Sequence, residues 1–286
     1  MSDTPSPAVV VGIDGSRTAI DAALWAVDEA VERDIPLRLL YAIEPGDDHA
    51  SPHDAARDLA TAEIAIRYAF IAVEATMQPV KIEVEILQER PQRALAAASR
   101  SAALICVGAV GLKNATRGQI GSTAAAIIRS AHCPVAVIRR RAVPVSNPGC
   151  ILVEIDDWTN ADGVLQKGVD EALLRRAPLR VLATWQSRFT NAHDVGAVAG
   201  ANQLALAQLD RRLAGWRRRH PELDVQALTN HGTTLDYLAK AADSVQLVVV
   251  GAERSGGTGE LVGPRGLAVL HDTDCAVLTC DPHRRL

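Results

Sequence analysis

Pro36-Leu37-Arg38-Leu39-Leu40 recurs 142 positions further on as Pro178-Leu179-Arg180-Val181-Leu182, and the reading of the whole chain follows from that spacing. At the same offset Val11-Gly12-Ile13-Asp14 meets Val153-Glu154-Ile155-Asp156, Gly121 meets Gly263, and Cys133 meets Cys275. With one added residue, Ile105-Cys106-Val107-Gly108 aligns with Val248-Val249-Val250-Gly251. A repeat of this length means two homologous domains, because solenoid units are far shorter. The expected division is 1–143 and 144–286, joined over Arg140–Gly149, where Pro144, Asn147, Pro148 and Gly149 break regular structure.

Within the first copy, patterns of period two or continuous apolar runs alternate with patterns of helical period. Ala8–Ile13, Leu37–Ile43, Val80–Leu87, Ala103–Gly108 and Pro134–Ile138 read as strands. Ser16 caps a helix whose stripe is Ile20, Leu24, Val27 and Val31. Ser51-Pro52-His53-Asp54 has the chemistry of a helix start, and Leu59, Ala62, Ile66, Phe70, Val73 and Met77 are its expected inward stripe. Gln92–Ser101 and Gly121–Ala131 read as two shorter helices, and the second copy repeats the order from Cys150 to Asp281. The fold class is therefore α/β: two tandem open parallel sheets of five strands, Rossmann-like, with helices on both faces.

Composition agrees. The 286 residues are 48% hydrophobic and only 3% aromatic, which predicts cores of Ala, Val, Leu and Ile. A net charge of −4 supplies no electrostatic footprint for nucleic acid or a membrane surface, and Arg139–Arg141 and Arg217–Arg219 read as solvated faces. Five cysteines without a Cys-x-x-Cys pair fit a reducing compartment. Met1–Pro7 lacks the pattern of a signal peptide, and no segment reaches the roughly 18 apolar residues of a membrane span, so a cytoplasmic location is expected.

Two loops of the first copy carry chemistry, at the strand ends where open α/β sheets collect ligands. Gly12-Ile13-Asp14-Gly15-Ser16 offers a low backbone and a carboxyl group able to accept from ribose hydroxyls or an adenine amino group. Gly108-Ala109-Val110-Gly111, then nine residues, then Gly121-Ser122-Thr123 offers close backbone approach and a helix N-terminus suited to an anion. Lys113 and Arg117 lie between and are placed to neutralise phosphate. Neither a P-loop nor a Gly-x-Gly-x-x-Gly after the first strand occurs, and Ser255-Gly256-Gly257 follows the wrong strand for a pyrophosphatase-type loop.

The Gly-x2-Gly-x9-Gly-Ser spacing at Gly108, Gly111, Gly121 and Ser122, with Asp14 and the run Ala131-His132-Cys133-Pro134-Val135, resembles the ATP-binding class of universal stress proteins in their tandem form. The resemblance implies ATP as ligand, with or without Mg. It places Gly12 and Asp14 at the adenosine, Gly108–Gly111 at the ribose and phosphates, and Gly121–Thr123 at the phosphate tail. It also implies a stress-response role, a homodimer, and a dimer-like pairing of the two copies through their last strands.

In the second copy Gly12, Gly15, Ser16, Gly111 and Ser122 become Glu154, Asp157, Trp158, Arg254 and Pro264, whereas Asp156, Gly251 and Gly263 persist. Glu154 and Asp157 add negative charge at the mouth, and Arg254 is expected to pair with Asp156 or Glu154 and fill the pocket. ATP binding by this copy is expected to be weak or absent, and the persistent residues are expected to be partly architectural. Other tempting residues read blandly. His49 and His53 flank Pro52 without further ligands, His132 ends a helix, His231-Gly232 is a turn, and Trp25, Trp185 and Trp216 pack. The sequence thus predicts an ATP-binding regulator without catalytic residues, acting on an unidentified protein partner. A slow ATPase or adenylyl-transfer enzyme and a plain partner-binding module remain the alternatives.

Overall fold

The computed structural model describes residues 7–45, 51–111, 120–139, 149–155, 161–185, 195–241, 244–251, 261, 263–270, 273 and 275–280. The chain divides into two compact units, residues 1–141 and 142–285.

The first unit runs β1 (Val9–Ile13), α1 (Arg17–Glu32), β2 (Leu37–Ile43), α2 (Pro52–Glu74), β3 (Ile82–Gln88), α3 (Pro91–Ala98), β4 (Leu104–Gly108), α4 (Ser122–Ser130) and β5 (Val135–Ile138). Its strands lie in the order β3-β2-β1-β4-β5 and every pair is parallel. Each crossover is a helix, as parallel pairing requires. Helices α1 and α2 pack together on one face, and α3 and α4 cover the other with Val10, Leu40, Ile105, Val107, Val135 and Val137 beneath them. The order reverses between β1 and β4, which is where the crossovers change faces.

The expected caps are present. Ser16 Oγ accepts from the Ala19 N–H at 3.2 Å, and Ser51 and Asp54 form a reciprocal capping box at the start of α2. The helix faces agree with expectation in part, Val27, Ala62, Ile66 and Val73 being buried. The deepest residues of α1 are Ala19, Ala22, Ala23, Ala26, Val27 and Ala30, with Ile20, Leu24 and Val31 only half-buried. On α2 the inward residues are Ala62, Ala65, Ile66, Ala69 and Val73. Leu59 stays exposed, and Met77 lies beyond the helix end with a φ of 56°. Alanine rows let the helices settle close to the sheet, and the larger side chains then fall to their flanks. Buried Glu29, bonded to Arg33 of the next turn at 2.5 Å, occupies the same helix.

The second unit runs β6 (Cys150–Ile155), α5 (Ala161–Leu174), β7 (Leu179–Trp185), α6 (Val195–Arg219), β8 (Val225–His231), α7 (Thr234–Ala241), β9 (Val245–Gly251), α8 (Pro264–Leu270) and β10 (Ala276–Cys280). Its order, β8-β7-β6-β9-β10, is again all parallel. The repeat reaches the buried acid: Glu171 and Arg175 reproduce Glu29 and Arg33, and Lys167 joins Glu171 at 2.7 Å. Trp216 is buried with the Arg219 guanidinium 4.2 Å above its ring. The joint at 140–148 lies outside the described residues.

Candidate functional site

Sequence fixes the site's geometry through two short loops at the β1–β4 reversal. After β1, Gly15 has a φ of 83°, a left-handed conformation that glycine adopts without strain. The turn lets Asp14 Oδ1 accept from the Ser16 N–H at 2.9 Å, which anchors the carboxyl group in one orientation. After β4, the Ala109 N–H donates to the Ile138 carbonyl at 2.7 Å, and the Ala109 carbonyl accepts from the Gly121 N–H at 2.8 Å. That second bond draws the start of α4 against the β4 loop.

The glycines are explained by what a Cβ would meet. At Gly108 it would lie 2.5 Å from Thr18 Oγ1 and 2.9 Å from the Ala19 nitrogen, so this glycine admits the first turn of α1. At Gly111 it would lie 2.7 Å from Asp14 Oδ2, and at Gly12 it would meet Leu95 Cδ1 at 3.2 Å.

Together these elements enclose a cleft of about 490 Å³, within the size range of small-ligand sites. Gly12, Asp14, Gly108, Gly111, Gly121, Ser122 and Thr123 all line it, so one space gathers the residues of both loops. Its floor is apolar, formed by Leu40, Ala42, Leu95 and Val107. At one end α4 presents Ser122, Thr123 and Ala124; its N-cap is Gly121, which makes no side-chain capping bond. The start of the helix, with the favourable end of its dipole, therefore lies at the cleft.

Two expected contacts are not made by side chains. Ala109 is buried in the core and Val110 packs against it, and neither lines the cleft; they shape the loop through their backbone. Lys113 and Arg117 lie outside the described residues, as does His49. Conversely, sequence reasoning missed Ile43 and Glu44 at the end of β2, Asp58 and Thr61 on α2, and Pro91 and Leu95 on α3. Their signal was positional: β2 neighbours β1, so its end shares the same rim. Among the described residues no group of three or more His, Cys, Asp or Glu side chains is arranged to hold a metal ion.

The second unit is built differently at the matching place. Glu154, the counterpart of Gly12, is 5% exposed, and its carboxyl group accepts from the hydroxyl of buried Thr234 at the start of α7. It therefore adds no charge at an open mouth; it is folded inward, near the positive end of a helix. At the end of β7, Trp185 donates its indole N–H to Asn202 Oδ1 at 2.7 Å and meets the His231 ring edge-on, centroids 4.6 Å apart. His231 ends β8, and the turn proper is Gly232, with a φ of 117°. Asp156, Asp157, Trp158 and Arg254 lie outside the described residues, so the expected Arg254 pairing does too. Gly251 has room: among described residues, the nearest atom to an added Cβ is Val164 Cγ2 at 3.5 Å. The residues around it at 156–160 and 252–260, which include the counterpart of Thr18, lie outside the described residues, and so does the test of the architectural role expected of this glycine.

A doubled α/β unit with a cleft at the sheet's switch point defines the class of protein. The chain belongs to the universal stress protein family, whose model matches residues 7–139 and 150–281. It is similar to a universal stress protein of Mycobacterium tuberculosis, 48% identical over 274 residues covering 95% of each chain. A second from the same organism is 43% identical over 283 residues, 98% of each. In fold it is similar to a crystal structure of a universal stress protein from Archaeoglobus fulgidus, at a TM-score of 0.65 and 15% identity over 97% of both chains. Among the described residues no helix is long and apolar enough to cross a membrane.

Proposed function

We propose that the first unit binds ATP, with or without Mg, and that the bound nucleotide sets the conformation or partner choice of a stress-response regulator. The observation that carries this reading is the convergence of Asp14, Gly108, Gly111 and the start of α4 on one cleft with an apolar floor. An apolar slot suits a base, a fixed carboxyl group suits ribose hydroxyls, and a helix N-terminus suits phosphate. Turnover is not part of the proposal, and neither catalytic nor metal-ligating residues are assigned. A homodimer and a protein partner belong to it, and light scattering of the purified chain tests the first.

The second unit, in this reading, binds nucleotide weakly or not at all, because Glu154 and Thr234 are bonded to each other where the first unit keeps Gly12 and Pro91. Native mass spectrometry of gently purified protein, followed by titration with ATP, AMP and GTP, tests both statements. One adenine nucleotide per chain is expected. No affinity for any adenine nucleotide would remove the first statement, and two tightly held copies the second. Fast metal-dependent hydrolysis in a single turnover, abolished by Asp14→Ala, would replace the regulator with an enzyme.

A further inference from the structure

The loops on the two sides of the cleft are tied by a side chain that does not itself line it. Thr18, half-buried in the first turn of α1, donates its hydroxyl to the Val110 carbonyl at 2.5 Å across 92 positions of sequence. Its oxygen lies 3.2 Å from Ser16 Oγ, which in turn accepts from the Ala19 N–H. The Thr18 proton is committed to Val110, so the Ser16 proton points to Thr18, and the bonds run one way: Ala19 N–H, Ser16, Thr18, Val110. The Ser16 N–H also holds Asp14, and Gly111, next after Val110, abuts Asp14. The circuit closes on Asp14 and Gly111, which both line the cleft.

We propose that Thr18 is a positioning residue of this cleft: its hydroxyl clamps the β4 glycine loop to α1 and so fixes the spacing of Gly111 and Asp14. The consequence for binding rests on the nucleotide reading above, whereas the clamp itself does not. Gly108 is part of the device, since a Cβ there would fall on the Thr18 hydroxyl. Hydrogen bonds in a chain polarise one another, so the Ser16 hydroxyl strengthens the bond that Thr18 donates to Val110. In the second copy the positions of Ser16 and Thr18 carry Trp158 and Asn160, so neither hydroxyl is kept alongside the altered site.

The test compares Thr18→Val, which keeps the volume and removes the hydroxyl, with Thr18→Ser, which restores it; Thr18→Ala serves if the valine variant does not fold. Two readouts are taken: amide hydrogen exchange over 108–111 and 120–124 in the ligand-free chain, and ATP and AMP affinity by calorimetry. The clamp predicts faster exchange in Thr18→Val and roughly tenfold weaker binding, one hydrogen bond's worth. The melting temperature should fall only by what the loss of one part-buried hydrogen bond entails, and Thr18→Ser should recover both readouts. Unchanged exchange in Thr18→Val, or a serine variant as impaired as the valine one, would overturn the proposal. If the wild-type chain binds no adenine nucleotide, the nucleotide reading falls, and exchange alone decides the clamp.

Discussion

Asp14 and Gly111 touch across the mouth of the first unit's cleft: an added Cβ on the glycine would stand 2.7 Å from the carboxylate Oδ2. Their loops follow β1 and β4, neighbouring strands that lie far apart in sequence. The missing side chain at 111 therefore leaves the carboxyl group its place.

Gly111→Ala would push Asp14 off that place without disturbing the core, because the methyl meets a side-chain oxygen rather than backbone. Nucleotide affinity should fall by roughly tenfold, about the worth of one hydrogen bond to a charged group, while the melting temperature stays near wild type. Calorimetric titration beside a thermal melt checks this. A variant that loses stability and affinity in proportion would show that Gly111 serves packing instead.

Gly108 and Gly251 occupy equivalent strand ends, and their neighbours among the described residues differ. Alanine at 108 would meet the Thr18 carbonyl carbon at 2.8 Å and the Ala19 nitrogen at 2.9 Å, both backbone atoms that move only with α1. Gly108→Ala should lower stability by about 1–3 kcal/mol, the usual cost of overpacking. Gly251→Ala, whose nearest contact among the described residues is Val164 Cγ2 at 3.5 Å, is expected to be milder. Urea denaturation of the two variants side by side decides it, and equal losses would show that Gly251 is packed as tightly as Gly108.

How much of this was legible in sequence depends on which signal each part uses. The strands were legible because buried parallel strands are continuous β-branched runs, such as Val9–Val11 and Val248–Val250. The two loops were legible because glycine spacing is a direct record of backbone approach. The helix faces were legible in part: Val27, Ala62, Ile66 and Val73 are buried as expected, but Ala22, Ala26, Ala65 and Ala69 are weakly hydrophobic, and the larger Ile20, Leu24 and Leu59 drew the stripe toward one flank. Glu29 and Glu171 gave no hint of burial, since their Arg partners four residues on look like any surface pair. Thr18, Ala42 and Leu95 join the site only through strand order and long-range bonds, which no local pattern encodes. Glu154 was read as charge at an open mouth because its partner, Thr234, lies 80 positions away.

Thr234→Val probes that buried pair. Valine keeps the volume and removes the donor, so the Glu154 carboxyl group loses a hydrogen bond in a place with little water. A loss of about 1–3 kcal/mol is expected, the penalty of leaving a buried polar group short of a partner. Chemical denaturation measures it. The double variant Glu154→Gln with Thr234→Val, compared with each single change, isolates their coupling, and a coupling energy near zero would contradict the bond's role.

The start of α7 supplies a pH-dependent contribution. Asp236 accepts from the Thr233 N–H at 2.8 Å and from the Thr233 hydroxyl at 3.0 Å, and Thr233 Oγ1 accepts from the Asp236 N–H at 3.2 Å. The Thr233 backbone bond, followed by its hydroxyl, holds the Asp236 carboxyl group below its ordinary value of 3.8, against a small opposing effect of burial. A depressed folded value means that the ionised form is favoured by folding. The stabilisation is therefore fully present above the ordinary value and is lost as pH falls through it and below. Asp236 is exposed, so solvent and salt screen the effect and it stays small. Asp236→Asn mimics the protonated side chain. Its melting temperature should lie below wild type at neutral pH, the gap should narrow as pH drops past the ordinary value, and it should close at still lower pH. A gap that is constant with pH would show that the box acts through shape rather than through the charge of Asp236.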